Sequence, residues 1–141
     1  MGEMHCGLAA QHKRPAAFVK ACCAVMSGWM EESDFRSGCP IATTMPESAP
    51  HPAKLTRVGN DAFDQWIAIM APIVAADGTS TAKPRTKAQT LISAMERALL
   101  LARVRNSRPI MDIAKGDLSS AYRPPDRSYS PLTLRRTGGA V

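Results

Sequence analysis

The chain has 141 residues, 45% of them hydrophobic and only 5% aromatic, which suits one folded domain and is too little for two cores. Its formal charge of +6 does not form a clustered basic face: residues 122–141 hold +3, residues 1–14 hold +1, and the long body between them nets only +2. That spread argues against phosphate recognition as the main task, and four cysteines without a Cys-x-x-Cys pair argue against a zinc site.

Residues 1–14 are mixed and show no apolar period, so they are expected to form a loose leader. Their start, Met1-Gly2-Glu3-Met4-His5, lacks the basic-then-apolar order of a signal peptide. No apolar run approaches the roughly 18 residues of a membrane span. A cytoplasmic chain with reduced thiols is the simplest expectation. Alanine, leucine and eight methionines favour helices, because unbranched side chains lose little rotamer freedom there.

Pro15 suits the first turn of a helix. Phe18, Val19, Cys22, Cys23, Val25, Met26, Trp29 and Met30 then recur with helical spacing. Glu31, Glu32 and Asp34 sit badly against the negative end of a helix dipole, which predicts a stop near Trp29 or Met30. Residues 34–53 carry five breakers (Gly38, Pro40, Pro46, Pro50, Pro52), with room for a short turn of helix over 41–45 before Pro46.

A second long helix is expected over 54–76, with Leu55, Val58, Ala62, Trp66, Ile69 and Ile73 on one side. Phe63, Ile67 and Met70 lie beside that face. Pro72 is expected to kink it, and Asp77-Gly78 to end it. After a polar linker over 79–87, a third helix over 85–106 carries Ala88, Leu91, Met95, Ala98 and Ala102 in one stripe, widened by Ile92, Leu99 and Leu101. So broad an apolar surface predicts burial on two sides. A fourth helix runs from Pro109 to about Tyr122, with Ile110, Ile113, Ala114, Asp117, Leu118 and Ala121 in register. Pro124-Pro125 closes it, and the remaining tail is expected to be disordered.

Few positions carry chemistry. Cys39 is a lone thiol whose nearest histidine is His51, with no accompanying acid, base or oxyanion motif. Trp29, Phe63 and Trp66 are expected to turn inward, where they either line a cavity for a planar apolar ligand or serve as plain core. The stripe over 91–104 is either internal core or a subunit contact. Ala88, Ala94, Ala98 and Ala102 would let a second helix come close, and Glu96 and Arg103 would either pair across a two-fold axis or sit at a solvated edge.

From Pro15 to Tyr122 the chain resembles the C-terminal regulatory half of TetR-type transcriptional repressors, in the lincomycin- and flavonoid-responsive LmrA/YxaF subgroup. The resemblance rests on Trp29-Met30-Glu31 leading into Ser33-Asp34-Phe35-Arg36-Ser37-Gly38-Cys39-Pro40-Ile41-Ala42, on Ala62-Phe63 followed by Trp66, and on Met95-Glu96 followed by Ala98-Leu99-Leu100-Leu101-Ala102-Arg103. It implies an all-α bundle that binds a small hydrophobic effector and dimerises through its last two long helices. Three departures stand out. Arg97 replaces a usual glycine, which would push the guanidinium outward or space the helices apart; Pro46 interrupts a short helix; and nothing before Pro15 corresponds to DNA-binding helices.

The expectation is therefore a non-enzymatic regulatory domain over 15–122, between an unmatched leader over 1–14 and a basic tail over 123–141. Effector binding is expected at Trp29, Cys39, Phe63, Trp66, Met70 and Met95, and the dimer interface at Leu91, Met95, Ala98, Leu99, Ala102 and Ile113. No cofactor, metal, membrane or direct DNA contact is expected. The partners would be a small hydrophobic or planar aromatic effector and either a second copy or a full-length relative. Two rivals remain: a nucleic-acid-binding protein using the tail with Arg97, Arg103, Arg105 and Arg108, and a thiol enzyme at Cys39.

Overall fold

The computed structural model describes residues 2–47, 53–76 and 83–122, which form six helices and, among the described residues, no strand. They are α1 (Gly2–Gln11), α2 (Pro15–Glu32), α3 (Pro40–Glu47), α4 (Ala53–Val74), α5 (Pro84–Arg105) and α6 (Arg108–Ser120). The all-α expectation holds. Pro15, Pro40, Pro84 and Pro109 each fall in a first turn, where a missing N–H costs nothing.

The central helix is α2, laid along α6 and touched by α1, α4 and α5, while α5 bridges α4 and α6. Its inward face runs Phe18, Val19, Cys22, Cys23, Met26 and Met30, all buried. From α4 come Trp66, Ile67, Met70 and Val74, and from α5 come Leu91, Ile92, Met95, Ala98, Leu99 and Ala102. Burial drives the thiols of Cys22 and Cys23 up to about 12 and about 11, so both behave as small apolar groups.

Several expectations need correction. Residues 2–11 are a helix and not a loose leader: α1 packs on α4 and α2, with Met4, Leu8 and Ala9 against the core and His5 only 1% exposed. Helix α2 continues through Glu31 and Glu32, past the predicted stop. Arg108 of α6 reaches Glu31 at 2.8 Å and offsets the unfavourable dipole there. In α4 the buried face is centred on Phe63 and Met70, so Val58 points into water at 58% exposure instead of inward.

The expected linker shrinks at its end, because Pro84–Lys87 already belongs to α5. Asp77-Gly78, most of that linker, His51 and the basic tail over 123–141 lie outside the described residues. At the end of α5, Asn106 takes the left-handed conformation (φ 46°) and Ser107 donates its N–H to the carbonyl of Ala102, which closes the helix. No helix among the described residues is long and apolar enough to cross a membrane.

Candidate ligand-binding site

The segment between α2 and α3 builds one wall of a cleft. Asp34 and Phe35 both adopt positive φ (51° and 55°), and Phe35 donates its N–H to the carbonyl of Met30 at 2.6 Å. The Ser33 hydroxyl donates to that same carbonyl and accepts from the Ser37 N–H. A compact hairpin of chain follows from these bonds, and it turns Cys39 inward. A Cβ on Gly38 would stand 3.3 Å from the Thr43 methyl and 3.9 Å from Cδ of Arg103, so glycine allows this loop to close on both α3 and α5. Thr43 donates its N–H and its hydroxyl to the Cys39 carbonyl, and Pro40 begins α3. The Gly-Cys-Pro sequence is thus a packing device: approach, burial, helix start.

Beneath the loop lies a cleft of about 430 Å³, bounded by Met26, Trp29, Met30, Cys39, Pro40 and Leu99, with Glu32 and Ser33 at its polar edge. This volume lies within the usual range for small-molecule sites, and its walls are largely apolar. Trp29, expected to turn fully inward, is 40% exposed because it walls the open side of the cleft.

The six expected effector residues divide between places. Trp29 and Cys39 share the cleft. Trp66, Met70 and Met95 are packed in the core around a void of only about 10 Å³, which His5, Met26, Ile92 and Glu96 also line. Phe63 stands edge-on to Trp66, ring centres 5.0 Å apart, and faces a separate cavity of about 380 Å³ with Ala42, Ile67, Ile92 and Glu96.

Most of the expected dimer positions also lie elsewhere. Leu91, Met95, Ala98, Leu99 and Ala102 are all buried within their own subunit, where the alanines let α5 approach its neighbours in the same chain. Only Ile113, at 63% exposure, faces outward. The apolar residues of α5 that do reach water are Leu100, Leu101 and Val104.

Sequence reasoning undervalued Glu96. Instead of a solvated edge, it is a half-buried carboxylate close to the Cys39 thiol, with which it lines one cavity. Burial raises both groups, the thiol to about 11, so Cys39 is protonated near neutral pH and is a poor nucleophile. Arg97 and Arg103 are exposed, and share with Glu96 a cavity of about 290 Å³ without forming an ion pair to it. The guanidinium that replaces the family's glycine therefore points outward. A signal for Glu96 was present: Ile92, Glu96 and Leu99 fall at i, i+4 and i+7, so the charge sits within the apolar stripe. No group of three His, Cys, Asp or Glu side chains fit to hold a metal occurs among the described residues.

The chain is thus a helical bundle with an apolar cleft beside a loop that holds two residues at positive φ, and the sequence comparisons give its kind. Residues 15–116 match the family described as transcriptional regulator LmrA/YxaF-like, C-terminal domain, and the chain belongs to that family of TetR-type regulators. Two HTH-type transcriptional regulators of Mycobacterium tuberculosis, from strains H37Rv and CDC 1551, are each 34% identical to it over 95 residues. That alignment covers 61% of this chain and 47% of each relative, so the chain spans about half the length of the curated relatives it matches. No solved structure matches significantly.

Proposed function

We propose that this domain senses a small hydrophobic effector in the cleft between the end of α2, the loop over 33–39 and α5, and that it works in the cytoplasm as one half of a dimer. The observation that carries the reading is the cleft itself, which is apolar, of ligand size and walled by Trp29. Its floor includes Leu99 of α5, and α5 packs on α6, so a guest that moved α5 would alter the two last helices together. In a relative that carries DNA-reading helices, such a shift would couple effector occupancy to DNA binding.

Leu100, Leu101 and Val104 of α5 and Ile113 of α6 support association through these two helices, with a second copy or with a full-length relative. Trp29 is the natural reporter. Planar aromatic compounds are expected to quench its emission saturably, and Trp29→Phe to abolish the change. Unaltered emission across such a panel would count against the cleft as the effector site.

The nucleic-acid rival has no comparable support: Arg97, Arg103, Arg105 and Arg108 are exposed but divided between α5 and α6, and Arg108 is committed to Glu31 and Asp112. For the thiol-enzyme rival, burial keeps Cys39 protonated, and the nearby Glu96 pushes its thiol further up instead of activating it.

A further inference from the structure

The cavity of about 380 Å³ between α3, α4 and α5 is walled by Ala42, Phe63, Ile67 and Ile92, and among the described residues its one ionisable lining group is Glu96. Behind it, with Ile92 and Glu96 common to both, lies the small void into which His5 is turned. His5 is 1% exposed and neither of its ring nitrogens has a hydrogen-bond partner. Two polar groups of different helices thus converge on one apolar space, and neither is satisfied by an opposite charge. Among the described residues Glu96 has no cationic partner, its contact being the neutral Cys39 thiol. Buried charges are normally paired, because removing an ion from water is costly unless another charge or several hydrogen bonds replace that water.

We propose that this second cavity takes an amphipathic cation: a protonated amine on an apolar or aromatic body, which enters beside Phe63 and takes Glu96 as its counter-charge. The site is separate from the cleft beside Trp29 and stands independently of it. A neutral guest would cover the carboxylate and leave it unpaired, and an anion would be repelled. An ammonium group supplies both the missing charge and a face-on contact to the Phe63 ring. Arg97 and Arg103 lie toward the other cavity that Glu96 lines, are exposed, and do not neutralise it. The inner His5, which is neutral because burial holds it down at about 4, can accept a hydrogen bond from a guest that reaches past Ile92.

The test uses the full chain and three probes of one shape, naphthylmethylamine, naphthylmethanol and naphthoic acid, titrated by calorimetry. The amine is expected to bind at least about tenfold more tightly than the alcohol, as a hydrogen-bonded charge pair implies, with the acid weakest. Glu96→Gln is expected to erase the difference, chiefly by weakening the amine. The wild-type ratio alone decides the matter if that variant does not fold. An amine no tighter than the alcohol, or an amine preference that survives in Glu96→Gln, overturns the proposal, while the Trp29 cleft stands or falls by its own quenching test. Failure of all three probes to bind overturns it as well.

Discussion

His5, buried and without a hydrogen-bond partner, makes the stability of the fold depend on pH. A histidine in the unfolded chain titrates near 6.5, but burial against Trp66, 5.6 Å away between ring centres, holds it down at about 4 in the fold. The folded state therefore takes up the proton later than the unfolded one. Its stability is intact above about pH 6.5 and falls as the pH is lowered toward 4, by roughly 3 kcal/mol in all. Glu96, lining the same void, acts in the opposite sense: its raised carboxyl binds a proton earlier in the fold, so acidification stabilises the folded form through that group. Urea midpoints measured between pH 7 and pH 4.5 are expected to drop for the wild type, to drop less for His5→Leu, and to drop more steeply for Glu96→Gln. At pH 7 His5→Leu loses the edge contact with Trp66 and also removes two unpartnered ring nitrogens. The second effect is the larger, and the midpoint should hold or rise.

At the scale of elements, Pro15 and Pro109 made two helix starts legible, because a ring that fixes φ and lacks a donor is tolerated in a first turn, whereas Pro40, which starts α3, read as a breaker. The ends were harder to read. Helix α2 was expected to stop before its acidic residues, since a single sequence does not disclose that Arg108, seventy-seven positions beyond Glu31, comes back to pair with it. Arg108 also contacts Asp112 within α6, where Lys115 and Arg108 hold the Asp112 carboxyl below its ordinary value. These side chains are largely solvated, so Arg108→Ala is expected to cost no more than about 1 kcal/mol in thermal melts, and less at high salt. A larger loss would mean that the α2–α6 junction depends on this clasp far more than exposed ion pairs usually allow. Helix α1 was illegible for another reason: its inward residues Met4, His5, Leu8 and Ala9 include a histidine, which a hydrophobic pattern scores as polar. Glu96 was missed by the same logic, a polar residue in a buried register. The loop over 33–39 was recognisable as a motif, but the positive φ angles at Asp34 and Phe35 that shape the cleft have no sequence mark, since neither residue is glycine.

For the whole molecule, the question is what the exposed apolar residues of α5 and α6 are for. Isolated exposed hydrophobics are ordinary, but four of the six large ones among the described residues (Leu100, Leu101, Val104 and Ile113) lie on the last two helices. The broad stripe of α5 is thus divided: one side fills the subunit's own core and the other is left over. Substitutions on the two sides should separate cleanly. Met95→Ala and Leu91→Ala remove buried side chains and are expected to cost about 2–5 kcal/mol of folding stability. Leu101→Glu with Val104→Glu changes exposed positions, so thermal melting at low protein concentration should hardly move. If α5 and α6 form the dimer contact, the same pair places four acidic groups at a two-fold interface, and sedimentation should show a dimer become a monomer. A wild type that sediments as a monomer at high concentration would remove the pairing half of the proposed function. A dimer untouched by the double substitution would move the contact to another face and leave the effector cleft unaffected.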